Sequence, residues 1–207
     1  MQDILKLIKS RRNVKDFTPQ FVDWDSISKI IDAGRHAPSA GNVQNWKFVV
    51  VNDIGKKQQI AEACLQQYEI TKAAAHIVIL GETEKMTRYY GSRGELYTIQ
   101  GCAAAAQNMM IEAQSLGLAT GWVGAFDESH MQKILGVPND VSVQVVITVG
   151  HAAKNPSKPP KYPLETLIYF NKWRAKIRNP TKYFREYSLM IRKKVEQGKD
   201  LLKKIKP

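Results

Sequence analysis

Residues 11–15 read Arg-Arg-Asn-Val-Lys, and residues 37–46 read Ala-Pro-Ser-Ala-Gly-Asn-Val-Gln-Asn-Trp. The first stretch places cations close together at the end of a short predicted helix. Arginine offers phosphate a planar fork of donors and lysine offers a point charge, so the cluster favours an anion site. The alternative is solvated charge at a helix C-terminus, where the dipole also favours cations. The second stretch is either a helix-ending turn or a turn whose amides face a flat heterocycle.

Two later stretches also have both a structural and a ligand-binding interpretation. Residues 117–126 read Gly-Leu-Ala-Thr-Gly-Trp-Val-Gly-Ala-Phe, and residues 158–163 read Lys-Pro-Pro-Lys-Tyr-Pro. Small side chains at Gly124 and Ala125 would expose backbone N–H groups to a ligand, or simply form a turn after a strand. The lysines of the later stretch belong either to a solvated linker or to a phosphate site.

Composition and charge limit the class of protein. The chain has 207 residues, 43% of them hydrophobic and 24% charged, which predicts one soluble domain with a substantial core. We expect no secretory signal at the N-terminus. The isolated Cys64 and Cys102 are expected to be free buried thiols, which fits a reducing cytoplasm.

The net charge of +12 is concentrated near the end of the chain. Residues 171–207 contain 13 Lys or Arg against 3 Asp or Glu, whereas residues 1–170 contain 18 against 16. The basic character therefore belongs to a C-terminal segment, in which Phe184, Tyr187, Ile191, Val195, Leu202 and Ile205 recur at helical spacing.

Periodicity predicts alternating helices and strands. We expect helices over 3–10, about 25–36 with Asp25 or Ser26 as cap, 55–68, 94–116, 128–135 and from Pro180 onward. We expect strands over 46–51, 75–80, 119–123 and 141–149, with an edge strand at 164–170. Such alternation usually indicates a parallel sheet, although periodicity does not determine strand direction.

Several common sites are disfavoured by the sequence. It contains no G-x-G-x-x-G, no P-loop and no G-x-S-x-G motif. Its histidines are His36, His76, His130 and His151, and they lack metal-ligand spacing. We interpret His76, at the start of a strand, as structural.

Taken together, the four stretches resemble the nitroreductase family of FMN-dependent homodimeric oxidoreductases. The match covers about residues 3–173 in the family's order. It implies an α+β fold, in which helices flank a mainly antiparallel central sheet, and an intertwined homodimer. Residues 1–173 would form the flavin-binding domain, and residues 174–207 would be an extra basic amphipathic helix.

The resemblance also implies a set of FMN-binding residues. The phosphate and pyrimidine edge would be held by the first stretch, one face of the flavin by the partner protomer's turn, and N5 by the glycine turn. Gln67, expected to end a helix, would contact the ring. The implied residues are Arg11, Arg12, Asn13, Lys15, Pro38, Ser39, Ala40, Asn42, Gln67, Val123, Gly124, Ala125, Lys158 and Lys161.

The expected reaction passes electrons from NAD(P)H through FMN to a nitroaromatic or quinone in a ping-pong cycle. The cofactor supplies the chemistry, so no side chain is identified as a catalytic acid or base. Departures from the family pattern leave the acceptor open: Asn13 for Ser, Lys15 for Arg, Asn45 for Pro, Gly101 for Asp and Gly124 for Glu.

Two alternatives remain open at this point. The same fold could carry dehalogenation or flavin fragmentation, for which residues 85–94 are the only candidate lid. The basic tail could instead bind nucleic acid or an anionic membrane surface, or pack its apolar stripe on the partner subunit while its lysines face water.

Overall fold

The computed structural model describes the backbone of residues 3–205 and the side chains of residues 3–185 and 188–196. The chain divides into two compact units, Met1–Lys158 and Pro159–Pro207. The helices are α1 (Ile4–Ser10), α2 (Trp24–Arg35), α3 (Ile54–Ala63), α4 (Thr83–Tyr90), α5 (Gly94–Ser115), α6 (Glu128–Leu135), α7 (Leu164–Leu167) and α8 (Pro180–Ile205). The strands are β1 (Phe17–Thr18), β2 (Trp46–Val51), β3 (Ala75–Gly81), β4 (Ala119–Val123) and β5 (Ser142–Ala152).

The sheet of the first unit is built around β3 and β5. Strand β3 is buried along its whole length and pairs with β2 on one side and β5 on the other. Strands β1 and β4 both pair with β5. Every one of these pairs is antiparallel, which confirms the mainly antiparallel sheet implied by the resemblance.

Alternation along β3 produces two hydrophobic cores, one on each face of the sheet. Ile77 and Ile79 belong to the core that α2 and α5 cover. Val78 and Leu80 belong to the core that α3 and α6 cover. A helix layer on each face therefore explains why β3 lacks the polar alternation of a half-exposed strand.

The cysteines confirm the sequence expectation of free buried thiols. Burial raises the pKa of Cys64 to about 11 and that of Cys102 to about 12. Both side chains therefore stay protonated at neutral pH, and they pack in the two cores as small apolar groups.

Helix α2 begins earlier than predicted. Asp23, and not Asp25 or Ser26, is the N-cap, because its carboxylate accepts hydrogen bonds from the backbone N–H of Ser26 at 2.7 Å and from the Ser26 hydroxyl at 3.1 Å. These bonds lower the pKa of the Asp23 carboxyl. The same helix buries Ile27 and Ile30.

Helix α3 ends earlier than predicted, at Ala63 instead of residue 68. The Ala63 carbonyl accepts a hydrogen bond from the backbone N–H of Asp127 at 2.8 Å, so it is not used to extend the helix. Leu65 and Gln66 then adopt left-handed conformations, with φ of 58° and 61°. Gln67 consequently follows a turn and does not end a helix, contrary to the sequence interpretation.

In the second unit, one predicted strand is absent from the described residues and one predicted helix is present. The predicted edge strand at 164–170 is wrong: Leu164–Leu167 forms a single helical turn, in which Thr166 donates to the Pro163 carbonyl through its N–H at 3.0 Å and its hydroxyl at 2.7 Å. Helix α8 begins at Pro180, as predicted. The side chains of Tyr187, Leu202 and Ile205, which complete the predicted stripe, lie outside the described residues.

Sequence periodicity did not reveal α4 or β1. Strand β1 is only two residues long, and its pairing partner lies far along the chain in β5. None of the helices described between residues 3 and 205 is long and apolar enough to cross a membrane.

Candidate functional site

The cationic stretch at residues 11–15 lies against strand β4. The backbone N–H of Val14 donates to the Thr120 carbonyl at 2.9 Å, and the backbone N–H of Trp122 donates to the Asn13 side-chain oxygen at 2.5 Å. Val14 is buried, whereas Asn13 and Lys15 are exposed. These bonds bring the first and third predicted stretches together from positions more than a hundred residues apart in the chain.

The space between Val14 and β4 is occupied so fully that only glycine fits at Gly121. A Cβ built on this residue would lie 2.5 Å from the Val14 carbonyl oxygen and 2.5 Å from Thr148 Oγ1. The glycine therefore sets the distance between the cationic stretch and the sheet.

Lys15 and its neighbours are joined to the 3-10 turn Tyr68–Lys72. Lys15 Nζ lies 3.8 Å from Glu69 Oε1, and Lys72 Nζ lies 3.1 Å from Asp16 Oδ1. Gln67 comes just before this turn, half-buried, and its Nε2 donates to the Cys64 carbonyl at 2.8 Å. Gln67 is therefore linked to the neighbourhood of Lys15 through this turn.

The two arginines of the stretch are half-buried, and both donate hydrogen bonds to nearby backbone carbonyls. Arg12 Nη1 donates to the carbonyls of Lys9, Ser10 and Arg11 at 3.0, 2.8 and 3.0 Å, which is the helix-end role considered above. Arg11 Nη1 donates to the Arg12 carbonyl at 3.1 Å. Arg12 also lines a cavity of about 600 Å³ together with polar side chains that include Gln114 and His151.

The glycine turn after β4 is open. Val123 is buried in the core, whereas Gly124 and Ala125 are exposed. Within the described part of the chain, the backbone N–H groups of Gly124 and Ala125 donate no hydrogen bond. These two donors are therefore available to an acceptor on a ligand.

The turn at residues 38–42 packs elsewhere in the same chain. Ser39 Oγ accepts a hydrogen bond from the backbone N–H of Gln44 at 3.0 Å, and Asn42 and Gln44 adopt φ of 56° and 50°. A Cβ built on Gly41 would lie 2.2 Å from the Tyr90 hydroxyl. Among the described residues, no hydrogen bond or ion pair joins this turn to residues 11–15. Pro38 is exposed and Ala40 half-buried.

Sequence reasoning missed two side chains that fix this turn. Tyr90 packs against Gly41 and stacks edge-on with the Tyr97 ring at 5.1 Å. Asn45 is fully buried, and its Nδ2 donates to Thr98 Oγ1 at 3.0 Å, while its Oδ1 has no partner among the described groups. The position of Asn45, next to the buried Trp46, was the feature of the sequence that could have indicated its burial.

The predicted lysines of the later stretch are exposed. Lys158 is the last residue of the first unit, and Lys161 belongs to the second. Neither forms an ion pair within the described side chains. Their role toward a phosphate stays a prediction.

Comparison with known proteins gives the same result as the motifs. The model of the nitroreductase family matches residues 8–80 and 66–151. A candidate NADH dehydrogenase/NAD(P)H nitroreductase of Archaeoglobus fulgidus is 30% identical over 73% of this chain and 86% of its own length. The FMN reductase (NADPH) of Bacillus subtilis is 23% identical over 83% of this chain and 74% of its own. A Bacteroides thetaiotaomicron crystal structure of a candidate NADH dehydrogenase/NAD(P)H nitroreductase superposes with a TM-score of 0.73 at 27% identity, covering 84% of this chain and 99% of its own. The chain therefore belongs to the nitroreductase family.

Proposed function

We propose that this protein is an FMN-dependent oxidoreductase that passes electrons from NAD(P)H to an electron-poor acceptor, a nitroaromatic or a quinone, in a ping-pong cycle. The observation that supports it most is the pair of hydrogen bonds from residues 11–15 to β4. They bring an exposed lysine and an exposed amide beside the strand that leads into the open Gly124–Ala125 turn. Cations, an amide and unpaired backbone donors are the groups that a flavin mononucleotide requires.

The donor set fits FMN in charge and in type. Lys15 is 60% exposed, and its one ion pair among the described side chains is long, so its ammonium is accessible to a ligand. Arg11 and Arg12 add positive charge for the phosphate. We propose that the cofactor contacts are those that the resemblance implies, with Lys158 and Lys161 reaching the phosphate and Gln67 the ring.

FMN, when bound, would supply the hydride and electron transfer between NAD(P)H and the acceptor. The Lys15 ammonium would stabilise negative charge at the pyrimidine edge of the ring, since a fixed cation costs no reorganisation during the reaction. A backbone N–H of Gly124 or Ala125 would orient N5. Pro38 and Ala40 would cover one face of the ring and exclude water from it.

We further propose that the site is shared between two chains. In one chain the turn at 38–42 is packed against Tyr90, and no bond among the described residues connects it to Lys15. A two-fold dimer can bring the turn of one protomer to the lysine of the other, and would form two identical sites. Residues 1–173 would form this flavin domain, with residues 174–207 as its extension.

Visible absorption of the purified protein tests the proposed function directly. We expect a flavin spectrum that NADH or NADPH bleaches under anaerobic conditions and that a nitroaromatic or a quinone restores. A colourless protein that takes up no added FMN would contradict the proposal.

Replacing Lys15 by Gln is expected to slow anaerobic flavin reduction on the order of tenfold to a hundredfold, because the charge that stabilises the reduced ring is lost. Stopped-flow absorbance measures the rate. Lys15→Arg should retain most of it. Lys72→Gln is the matched control: Lys72 is equally exposed, at 60%, and is paired to Asp16, the neighbour of Lys15 in the chain. Equal losses in both Gln variants would argue against a specific role for Lys15.

Mixing two impaired variants tests the shared site. Lys15→Ala removes the proposed charge, and Ala40→Trp is expected to block the flavin face. Random reassociation after mild denaturation produces mixed dimers, in which one site carries both lesions and the other neither. We therefore expect the mixture to be clearly more active than either variant alone. A mixture no more active than its components, or a monomer in sedimentation with full FMN affinity, would contradict a shared site.

A further inference from the structure

Helix α8 carries an exposed apolar face in the second unit. The face consists of Phe184, Ile191 and Val195, whose side chains are 46–55% exposed. Their helical spacing places them on one side of the helix. Leu189 is also half exposed, at 51%, but the helical period places it away from Ile191, on the opposite side.

The other side of the same helix is strongly basic. Arg185, Arg192 and Lys193 lie on it, and Glu196 is the acidic residue among its described side chains. The surrounding segment has the same sign, with 13 Lys or Arg against 3 Asp or Glu over residues 171–207. The helix therefore combines a narrow apolar side with a cationic one.

The described side chains of the second unit do not form a core that could cover this face. Among the described side chains of residues 159–185 and 188–196, not one is fully buried. The aromatic contacts of Phe170 with Tyr183 and Phe184 lie at the first turn of α8. Apolar side chains left in water cost free energy in proportion to their area, so the face from Ile191 onward requires an external apolar surface.

We propose that α8 binds the surface of an anionic membrane, with its apolar face in the boundary between headgroups and acyl chains and its cations against lipid phosphates. This arrangement is the one that a basic amphipathic helix adopts in lipid when polar residues predominate along its length. Nucleic acid would neutralise the cations but leave the apolar face in water. A second copy of α8 would cover that face but place two cationic helices side by side.

Vesicle sedimentation with the full-length flavoprotein tests this. We expect binding to phosphatidylcholine vesicles that contain phosphatidylserine, no binding to pure phosphatidylcholine, and release by high salt. Ile191→Asp should weaken binding on the order of a hundredfold, because an apolar anchor is lost and a like charge is introduced. Leu189→Asp makes the same chemical change on the opposite face and should weaken it about fivefold. Replacing Arg185, Arg192 and Lys193 together by Gln should weaken it about a hundredfold.

Circular dichroism and NAD(P)H oxidation verify that each variant is folded, and these should match the unmodified protein. Four results would overturn the proposal. The full chain could fail to bind the anionic vesicles. Ile191→Asp and Leu189→Asp could weaken binding equally. Ile191→Asp could change the sedimentation coefficient in the absence of lipid, which would identify a second copy of the chain as the occupant. The chain could also bind duplex DNA and not vesicles, which would identify nucleic acid as the occupant.

Discussion

Replacing Gly121 by Ala is expected to lower the free energy of unfolding by about 1–3 kcal/mol and to weaken FMN binding by more than about tenfold. The added methyl would lie 2.5 Å from the Val14 carbonyl oxygen, where real Cβ atoms do not occur. Because that oxygen is backbone, the relief must come from a shift of residues 11–15 away from β4. Such a shift breaks the Val14–Thr120 and Asn13–Trp122 hydrogen bonds that hold Lys15 in place.

A second glycine provides the matched control. A Cβ on Gly55, near the start of α3, would meet only Asp53 Oδ1, at an ordinary 3.4 Å. Gly55→Ala should therefore bind FMN normally and be stabilised by a few tenths of a kcal/mol to about 1 kcal/mol. Urea unfolding and flavin fluorescence titration measure both quantities. If Gly121→Ala loses stability but binds FMN with unchanged affinity, residues 11–15 do not hold the cofactor.

The sequence was sufficient to predict those helices and strands whose residue types alone indicate them. Strands β2 and β3 were predicted within a residue of their ends because β2 is rich in Val and aromatic residues and β3 in Val, Ile and Leu. Local patterns did not determine what depends on distant pairing. The end of α3 is decided by a bond from Asp127 to the Ala63 carbonyl, and β1 exists only because β5 lies beside it. Strand direction came from the family resemblance.

The same limit applies to the candidate site. Residues 11–15 and 117–126 could each be singled out by residue type, but neither stretch indicates the hydrogen bonds that join them. Glu69, the ion-pair partner of Lys15, lies in a 3-10 turn that periodicity does not detect. The turn at 38–42 is held by Tyr90, from a helix that the sequence analysis treated only as a possible lid. Contacts of this kind depend on the fold as a whole.

His76 is expected to make the protein lose about 3 kcal/mol of stability as the pH falls from 6.5 to about 4. The side chain is fully buried in β3, where its Nε2 donates to the Ile70 carbonyl at 2.9 Å and its Nδ1 has no partner among the described groups. Burial lowers the pKa of His76 from its usual 6.5 to about 4, and the positive charge of Lys57 acts in the same direction, against the Ile70 hydrogen bond.

The sign of the effect follows from which state binds the proton. Between pH 6.5 and about 4 the unfolded chain protonates His76 and the folded chain does not, so the unfolding free energy decreases with every step toward acid. Below about pH 4 both states bind the proton and this contribution stays constant. Urea unfolding at a series of pH values should therefore show a slope in this window. His76→Gln should remove most of it, since its amide can still donate to the Ile70 carbonyl but does not titrate. Carboxyl groups whose pKa is lowered in the folded protein, Asp23 among them, keep a slope at the acid end of the window. His36→Gln, at an exposed position near Asp32, should leave the slope intact. A His76→Gln protein with the same slope would mean that another group takes up the proton on unfolding.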